Sequence, residues 1–293
     1  MIASTSALAR HGRQHGYAVP AVNVLDDISL RAVVAAAVQL SAPMIIQISV
    51  KTVKQLGVEL TTTTFNLAAQ DAPVPVALNL DHCPDRAVIS DVVAAGWSSV
   101  LFDASNRDMA QAELETAEVV KEAHARGVDV ESEIENIIGV EDGVGSDTSL
   151  HSYTTAQLAD MAARTGVDLI APQLGTAHGM YKARPVLLPE RVFELAALTD
   201  IPIVLHGGTG LTEQDFRSFI DAGVSKINIS TAVKMAYMQA AADHLDIARA
   251  TNKWDPPTMF RAIQARVTDV IATHIQWFGA DGQADSALAA VAS

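Results

Sequence analysis

An acid, a histidine and the only cysteine of the chain follow one another at the end of an apolar run, in the segment VALNLDHCPD (residues 76–85). Asp81 next to His82 has two interpretations. The two side chains could cap a strand and be hydrogen-bonded in the core, or Asp81 could be a general acid or base beside a metal ligand. Cys83 is predicted to be a small buried packing residue. The pair alone does not decide between the two interpretations.

Two further histidines follow apolar runs, His178 in GTAHGMY and His206 in LHGG. Three neutral imidazoles that leave one coordination position open are a known arrangement for catalytic zinc. A single histidine after a strand is most often a hydrogen-bonded core residue, but three of the nine histidines at strand ends make that explanation weak. His82, His178 and His206 are therefore predicted to bind a zinc ion.

Carboxylates lie at the ends of two more apolar runs, at Asp103 and Glu133. They could bind a metal at an alternative or second position, or they could orient the histidine ligands. A polar network inside the core is an equally open interpretation. Glu131, two residues before Glu133, is predicted to have a structural role.

Two later apolar runs lead into HGGTG (206–210) and NIST (228–231). Backbone N–H groups in such turns, near the start of a helix, can hold an oxyanion. In barrels of eight β/α units, phosphate often binds between the loops after strands 7 and 8. The two stretches fall in those loops, so together they predict a phosphate site.

A long loop rich in glycine and acids, IIGVEDGVGSD (137–147), contains Glu141. One interpretation is a solvated loop acid. The other is an acid on a mobile loop that closes over a substrate. The residues leave both open.

These side chains need a scaffold that brings the ends of many apolar runs together. Short β-branched runs alternate with amphipathic stretches, and the runs lack strict polar alternation, which indicates strands buried on both faces. The predicted strands are 17–24, 43–49, 74–82, 98–104, 127–134, 167–174, 202–208 and 224–230. The predicted helices include 28–40, 109–126, 155–165 and 212–222. This pattern predicts a (β/α)8 TIM barrel, with the catalytic groups at the carboxyl ends of its strands.

A doubly wound open sheet is the alternative fold. Its first strand usually leads into a glycine-rich phosphate loop, whereas here the first strand is followed by NVLDDISL, which contains no glycine. No linker rich in proline, glycine or serine divides the chain. Residues 1–293 are therefore predicted to form a single domain, with a loose tail over 280–293.

The composition limits the classes of function. A formal net charge of −14 argues against nucleic-acid binding, which needs a basic face. One cysteine excludes an intrachain disulfide and a multi-cysteine zinc site, so histidines and carboxylates must hold any metal. No apolar stretch reaches the roughly 18 residues of a membrane span, and the first residues lack the apolar region of a secretion signal. The sequence predicts a cytoplasmic protein that binds neither membrane nor nucleic acid.

The chain resembles the class II, metal-dependent ketose-bisphosphate aldolases, the family of fructose-bisphosphate and tagatose-bisphosphate aldolases. The matching blocks, in chain order, are AVNV, PMIIQIS, VPVALNLDH, GWSSVLFDAS, VESEIENIIGVEDGV, GTAHGMY, LHGGTGL and GVSKINIST. The resemblance runs from about residue 7 to residue 280. It implies a zinc-dependent, reversible aldol cleavage of a ketose 1-phosphate or 1,6-bisphosphate to dihydroxyacetone phosphate and an aldehyde.

The resemblance also implies roles for single residues. His82, His178 and His206 would bind the catalytic zinc. Asp81 would act as acid or base on the hydroxyl of the carbon whose bond breaks. Glu141 would move the proton on the dihydroxyacetone phosphate carbon.

Other positions match the second metal and the phosphate of this family. Asp103 and Glu133 correspond to residues linked to a second metal position or to metal movement. The residues expected to hold the triose phosphate are Gly179, Gly207, Gly208, Thr209, Asn228, Ile229, Ser230 and Thr231. Such enzymes are typically dimers or higher oligomers, so a homodimer or homotetramer is expected, and a monovalent cation often assists them.

Two departures from the family pattern affect the loop and the far phosphate. Where the family usually has ELGxxGG, this chain has EIENIIG, with Glu135 and Ile138 in place of glycines. Near the carboxyl terminus, Pro257 in DPP stands where the family often has an arginine that meets the second phosphate. Either the substrate lacks that phosphate, or another side chain binds it. The candidates are Arg107, Arg184 and Arg261.

Two other functions are alternatives. A metal-dependent sugar-phosphate epimerase or isomerase on the same barrel would transfer protons without breaking a carbon–carbon bond. A non-catalytic assembly or regulatory subunit would require loss of the metal ligands, and all of them are present. A Schiff-base lysine is not needed, and Lys226 is predicted to be structural or to face the phosphate.

Overall fold

Parallel strands close into an eight-stranded barrel in the computed structural model of the chain, which describes residues 2–181 and 183–291. The barrel strands are β1 (Val19–Asn23), β2 (Met44–Ser49), β3 (Val76–Cys83), β4 (Ser99–Asp103), β5 (Asp129–Glu133), β8 (Leu169–Ile170), β9 (Ile203–Leu205) and β10 (Val224–Ile229). Around the barrel, β1 is followed by β10, β9, β8, β5, β4, β3 and β2. The strand β2 pairs again with β1 and closes the ring. The predicted single-domain (β/α)8 barrel is confirmed.

Helices connect the strands and surround the barrel. They are α1 (Thr5–His15), α2 (Asp27–Gln39), α3 (Val50–Leu56), α4 (Val58–Ala69), α5 (Arg86–Ala94), α6 (Met109–His124), α7 (Thr155–Thr165), α8 (Pro189–Ala196), α9 (Glu213–Ala222), α10 (Thr231–Thr251), α11 (Pro256–Trp277) and α12 (Ala284–Val291). The four helices predicted from the sequence correspond to α2, α6, α7 and α9 and differ from them by at most two residues at either end.

The barrel interior contains a chain of buried polar side chains. Gln47 Nε2 donates to Asn23 Oδ1 at 3.0 Å, and Asn79 Nδ2 donates to Gln47 Oε1 at 3.0 Å. Ser99 Oγ donates to Asn79 Oδ1 at 2.7 Å, and Thr5 Oγ1 lies 2.7 Å from Ser99 Oγ. Because buried polar groups are costly without partners, these contacts make a polar interior compatible with a stable barrel. This series of hydrogen bonds runs from Thr5 in α1 to Asn23 at the carboxyl end of β1.

The helix α1 closes the amino-terminal end of the barrel. Its N-cap residue Ser4 and the backbone N–H of Ser6 both donate to Asp129 Oδ2, at 2.7 and 2.8 Å. Asp129 is the first residue of β5, so these bonds fix α1 to the starts of the strands. The opposite end of the barrel is left for the loops that follow the strands.

The sixth barrel strand is shorter than the predicted 167–174. Only Leu169–Ile170 belong to the ladder. Pro172 follows almost at once, and a proline cannot donate the hydrogen bond that a central strand needs. Residues 171–174 therefore leave the sheet and form the start of the loop that carries His178.

Part of the predicted mobile loop 137–147 is a β-hairpin. The strands β6 (Gly139–Glu141) and β7 (Val144–Ser146) pair antiparallel. Between them, Asp142 and Gly143 have φ values of 53° and 85°, as a two-residue type I′ turn requires. The Asp-Gly dipeptide explains why this segment folds back on itself.

The prediction of a loose tail over 280–293 is wrong for most of that segment. Residues 284–291 form α12, which contacts α1, and Ala284 and Ala287 are buried. Gly282 N donates to Leu40 O and Ala284 N to Ser41 O, both at 2.8 Å. The small alanine side chains suit this close docking. Residues 292 and 293 lie outside the described part.

Within the residues that the structure describes, no helix is both long enough and apolar enough to cross a membrane.

Candidate active site at the carboxyl end of the barrel

Three histidines converge at the carboxyl end of the barrel, two from the neighbouring strands β8 and β9 and one from β3 across the rim. His82 belongs to the end of β3, His178 lies in the loop after β8, and His206 directly follows β9. The ring centroid of His82 lies 4.8 Å from that of His178 and 4.7 Å from that of His206. One nitrogen from each ring lies within 4.8 Å of the other two, a spacing at which one metal ion can bind all three.

The backbone at the end of β3 turns His82 toward the rim. His82 has a φ of 41°, in the left-handed region that non-glycine residues rarely adopt. The register between β3 and β4 also shifts between Leu80 and Cys83. Strain of this kind persists only where surrounding contacts hold it, and it is common at functional sites. Cys83 is buried with its thiol toward Asp85 O at 3.4 Å, as a packing residue would be.

The hairpin holds His178 through its backbone. His178 N donates to Ile138 O at 2.8 Å. The next residue, Gly139, has a φ of 110°, and a Cβ there would lie 2.9 Å from His178 O. Ile138, which replaces a family glycine, thus contributes a carbonyl to the histidine loop, while Gly139 permits the close approach.

Two buried atoms at the centre of the cluster lack hydrogen-bond partners among the described residues. His206 Nδ1 lies 3.0 Å from Glu133 Oε2. Nevertheless, neither atom completes a hydrogen bond with any described residue. Buried polar atoms are seldom left in this state. An imidazole nitrogen and a carboxylate oxygen facing the same point fit a divalent metal, so the residues suit the group that the sequence predicts.

A second set of possible ligands shares His82. His82, Asp103 and Glu133 are all buried and their ligand atoms also lie within 4.8 Å of one another. Asp103 Oδ2 and Glu133 Oε2 lie 3.5 and 3.7 Å from His82 Nδ1. Asp103 in addition accepts a hydrogen bond of 2.6 Å from Ser105 Oγ. This geometry is compatible with both a second metal position and a carboxylate network that orients His82.

The electrostatics of the cluster favour a positive charge. Burial opposes protonation of His82, but the charges of Asp81 and Glu133 and a hydrogen bond with Asp103 raise its pKa well above the usual value. Burial raises the pKa of Glu133. Burial also works against ionisation of Asp103, but the hydrogen bond and charge of His82 lower its pKa overall. His82 is therefore the group disposed to carry a proton when no metal is bound, and a metal bound there would displace that proton.

Glu131 contacts the ring nitrogen of His206 that faces away from the other proposed ligands. His206 Nε2 lies 2.9 Å from Glu131 Oε1, and Lys226 Nζ lies 2.7 Å from Glu131 Oε2. Burial alone would raise the pKa of Glu131, but Lys226 and His206 lower it to about 2. An ionised Glu131 accepts the Nε2 proton of His206, which leaves Nδ1 free to face the other ligands. Lys226 is fully buried in this pair, so it has the structural role and does not face a phosphate.

Asp81 is held beside the histidines by two amides. Asn23 Nδ2 donates to Asp81 Oδ2 at 2.7 Å, and Asn228 Nδ2 donates to Asp81 Oδ1 at 3.5 Å. Asn228 Oδ1 accepts in turn from Lys226 Nζ at 2.8 Å. The two amides therefore orient the carboxylate, and among the described residues no lysine or arginine forms an ion pair with it, which suits a proton acceptor.

One narrow cleft brings most of the predicted site together. Its lining residues are Asn23, Asp81, His82, His178, Gly179, Gly207, Gly208, Thr209, Asn228, Ser230 and Thr231. Of the residues expected to hold the triose phosphate, only Ile229 does not line it. The Cδ1 atom of Ile229 packs behind Gly208, 3.2 Å from where a Cβ on that glycine would be.

The cleft has the features of an anion site on one side. Gly207 has a φ of 70°, and a Cβ there would lie 2.5 Å from Ala177 O, so only glycine fits. Thr209 Oγ1 accepts from Ala232 N in the first turn of α10 at 3.2 Å. The N-terminus of this 21-residue helix faces the glycine turn, which suits a phosphate group.

Glu141 is the last residue of β6, next to the hairpin turn. Its side chain lies outside the described part, so its role as a mobile acid stays a prediction. The neighbouring Asp142 contacts Lys234 of α10, with Oδ2 and Nζ 3.0 Å apart. The hairpin is thus attached to the same helix that starts at the anion site.

The sequence departure at Glu135 has a structural explanation. Glu135 is completely buried and accepts hydrogen bonds from Tyr153 N at 2.7 Å and Gln173 N at 3.0 Å. Its Oε1 also lies 2.8 Å from Arg191 Nη2. A glycine could make none of these side-chain contacts, so Glu135 joins the end of β5 to the loop after β8.

None of the three arginines considered for a far phosphate lines the described cleft. Arg107 pairs with Glu115 at 2.7 Å, and Arg184 pairs with Asp215 at 2.9 Å. Arg261 lies in α11, where its Nη2 donates to Thr258 Oγ1 at 2.6 Å. Arg107 also donates to Asp103 O at 3.1 Å, so it lies behind the acid that contacts His82.

Sequence reasoning missed Asn23 and the pairing of Glu131 with Lys226. Asn23 ends the first strand in AVNV, a position that could have drawn attention because strand ends meet at the rim. The Glu131–Lys226 pair has no comparable signal, since the two residues are 95 positions apart on strands that are not neighbours in the barrel.

Comparisons with known proteins agree with this geometry. The family model described as "Fructose-bisphosphate aldolase class-II" matches residues 3–283. A Coccidioides immitis structure provisionally assigned as a fructose-1,6-bisphosphate aldolase has 25% identity and a TM-score of 0.88, with 96% of this chain and 98% of that chain covered. The YdjI aldolase from Escherichia coli K12 has 27% identity and a TM-score of 0.82, with 97% and 100% covered. The fructose-bisphosphate aldolase of Campylobacter jejuni, 23% identical with 96% of each chain covered, shares the fold at a TM-score of 0.82.

Proposed function

Because the chain belongs to the class II fructose-bisphosphate aldolase family and is therefore a lyase, we propose that it cleaves a ketose 1-phosphate or 1,6-bisphosphate reversibly. The products are dihydroxyacetone phosphate and an aldehyde. The observation that carries the proposal is that Asp81, two of the three clustered histidines and the glycine-rich anion site line one cleft. Metal, base and phosphate site are the parts that such a cleavage needs.

The residues that would hold the metal are His82, His178 and His206, with Asp103 and Glu133 available for a second position. Three imidazoles with an open position favour Zn²⁺. The bound ion would supply Lewis-acid stabilisation of the negative charge that develops next to the ketone as the carbon–carbon bond breaks. A monovalent cation near the phosphate is a further expectation from the family.

Asp81 would take the hydroxyl proton of the carbon whose bond breaks. Its two oxygens are held by Asn23 and Asn228, so the carboxylate does not need to reorient during proton transfer. Asp81 is buried, and water competes little for it. Because it adjoins His82, it can reach the substrate atom next to those that the metal would polarise.

Glu141 would deliver and remove the proton on the dihydroxyacetone phosphate carbon. Proton transfer at this second atom needs an acid on a different side of the substrate from Asp81. The hairpin carries Glu141 next to its turn, and movement of the hairpin would bring this acid toward the cleft.

The phosphate of the dihydroxyacetone half would bind among Gly179, Gly207, Gly208, Thr209, Ser230 and Thr231. Backbone N–H groups and the start of α10 would hold it. The identity of the ketose, the cytoplasmic location and the homodimeric or homotetrameric state remain predictions.

Product analysis with metal removal tests the proposal. Ketose 1-phosphates and 1,6-bisphosphates are incubated with the protein, and release of dihydroxyacetone phosphate is measured before and after treatment with EDTA. We expect EDTA to abolish the release and Zn²⁺ to restore it. Isomerised or epimerised products without dihydroxyacetone phosphate would support the alternative function, and a borohydride-trapped adduct with full activity after EDTA would show a lysine mechanism.

Two variants separate the base from the ligands. Asp81→Ala is expected to lose cleavage but to keep bound zinc, because Asp81 is not one of the proposed zinc ligands. His206→Ala is expected to lose both. A wild-type zinc content in purified His206→Ala would show that the ligand set is wrong.

A further inference from the structure

A cavity of about 520 Å³ opens beside the catalytic cleft. Lys51 and Lys54 of α3 line one wall, and Asp85, Asp142 and Val144 line others. The hairpin tip that carries Asp142 therefore forms part of the cavity. No role for this space follows from the site described above.

The cavity lies against the catalytic residues. Val50, Asp142 and Val144 line it and also line a narrow gap against Ser49, Asp81 and His82. Asp81 and His82 in turn line the cleft that contains the anion site. A substrate held in that cleft by its first phosphate would extend its aldehyde half past Asp81 toward α3 once this gap, which is too narrow for water in this structure, widens.

The distance between Lys51 and Asp81 suits a short substrate. Ser49 is the register partner of Asp81 in the pairing of β2 with β3, and Lys51 follows Ser49 by two residues. Neighbouring strands lie ~5 Å apart and two residues span at most ~7 Å, so the Cα atoms of Lys51 and Asp81 are within roughly 12 Å. A lysine side chain and the two or three carbons beyond the broken bond bridge this distance.

The charges in the cavity leave one ammonium group available. Lys54 Nζ pairs with Asp85 Oδ2 at 2.8 Å, and Asp142 Oδ2 pairs with Lys234 Nζ at 3.0 Å. Among the described residues, no carboxylate forms an ion pair with the exposed Lys51. The charges of Asp85 and Asp142 are thus balanced by Lys54 and Lys234, and Lys51 adds a net positive charge.

We propose that Lys51 determines specificity by binding an anionic group, a phosphate or a carboxylate, on the aldehyde half of the substrate. The inference rests on the proposed aldolase function. It assigns the far anion to a side chain of α3 instead of an arginine near the carboxyl terminus. Lys51 is placed to act on binding of the aldehyde half and not on the bond that breaks.

The test compares Lys51→Met with the wild type in the synthesis direction. Dihydroxyacetone phosphate is combined with glyceraldehyde 3-phosphate, with succinic semialdehyde, or with uncharged glyceraldehyde. We expect Lys51→Met to raise KM for an anionic aldehyde at least tenfold, with kcat changed less than threefold, and to leave KM for glyceraldehyde unchanged. The phosphate and carboxylate arms show which anion the cavity takes.

Two variants serve as controls. Lys51→Arg keeps the charge and is expected to retain most of the affinity for the anionic aldehyde. Lys121→Met removes an exposed lysine of α6 outside the cavity and is expected to behave as the wild type. Equal changes in KM for charged and uncharged aldehydes in Lys51→Met would overturn the proposal.

Failure of the aldolase function is recognisable separately. In that case the wild type forms no product from any aldehyde. Calorimetric titration with glyceraldehyde 3-phosphate then tests Lys51 directly, since binding does not depend on turnover. An unchanged Kd in Lys51→Met would overturn the inference in this case as well.

Discussion

Glu131 lies between two positive groups inside the barrel, the ammonium of Lys226 and the imidazole of His206. No side chain of this trio reaches the surface, and Glu131 is fully buried. Its contact with Nε2 selects the tautomer in which His206 presents Nδ1 to the metal position. The histidine alone would be free to present either nitrogen, so the carboxylate next to it would help to fit the rim for the proposed metal.

Replacement of this carboxylate by an amide should separate metal binding from folding. We expect Glu131→Gln to weaken zinc binding by about 10–100-fold, the range usual for partners of metal ligands. The variant should also lose stability by about 3–5 kcal/mol, because Lys226 keeps its charge in the core without an anion. Competition with a chromogenic chelator measures the first effect, and chemical denaturation of the metal-free protein measures the second.

A double variant provides the matched control. Glu131→Gln with Lys226→Met removes the unpaired charge, so most of the stability should return while zinc binding stays weak. Recovery of zinc binding together with stability would show that Glu131 acts only through folding. Wild-type zinc affinity in the single variant would contradict its orienting role.

At the scale of elements, the β6–β7 hairpin serves two functions. Its strand β6 ends in Glu141, and the residue before β6 gives the carbonyl that binds His178 N. The proposed acid and one proposed metal ligand are therefore positioned by the same element. A movement of the hairpin cannot leave His178 unaffected.

Gly139 is the position at which this coupling can be tested. A Cβ at residue 139 would lie 2.9 Å from His178 O, and the φ of 110° is unfavourable for any other residue. We expect Gly139→Ala to lower both kcat and zinc content, each measured on purified protein. Gly143→Asn changes the hairpin turn, where a Cβ would have no other atom within 4 Å. This variant should retain its kcat and its zinc content, because asparagine tolerates a positive φ. Normal zinc content in an inactive Gly139→Ala would show that the hairpin and His178 are independent.

Which of these features the sequence could predict depends on how local they are. His82, Asp103, Glu133 and His206 were identifiable because each ends an apolar run, and the barrel brings such ends together. The hairpin was also identifiable in principle, since Asp142-Gly143 is a strong local turn signal, although its glycines and acids also fit a mobile loop. The pairs of Asn23 with Asp81 and of Lys226 with Glu131 depend on barrel closure and register, which no local pattern encodes.

At the scale of the whole molecule, the two ends of the barrel have different tasks. The carboxyl ends of the strands carry the histidines, the acids and the glycine turns. The amino ends are covered by α1, and α12 packs against α1. Polar side chains connect the two ends through the interior, from Thr5 to Asp81. Stability and chemistry are therefore separated along the barrel axis, as is usual in this architecture.

This separation predicts that α12 contributes to stability and not to activity. A chain ending at Ala280 loses the bonds to Leu40 O and Ser41 O and the packing of the buried alanines. At about 1 kcal/mol per hydrogen bond plus apolar burial, we expect a loss of roughly 2–3 kcal/mol and a fall in Tm of about 4–12 °C. The kcat at 25 °C should equal that of a control chain ending at Val291. A large fall in kcat with unchanged Tm would place α12 in the catalytic machinery, which the distance along the axis argues against.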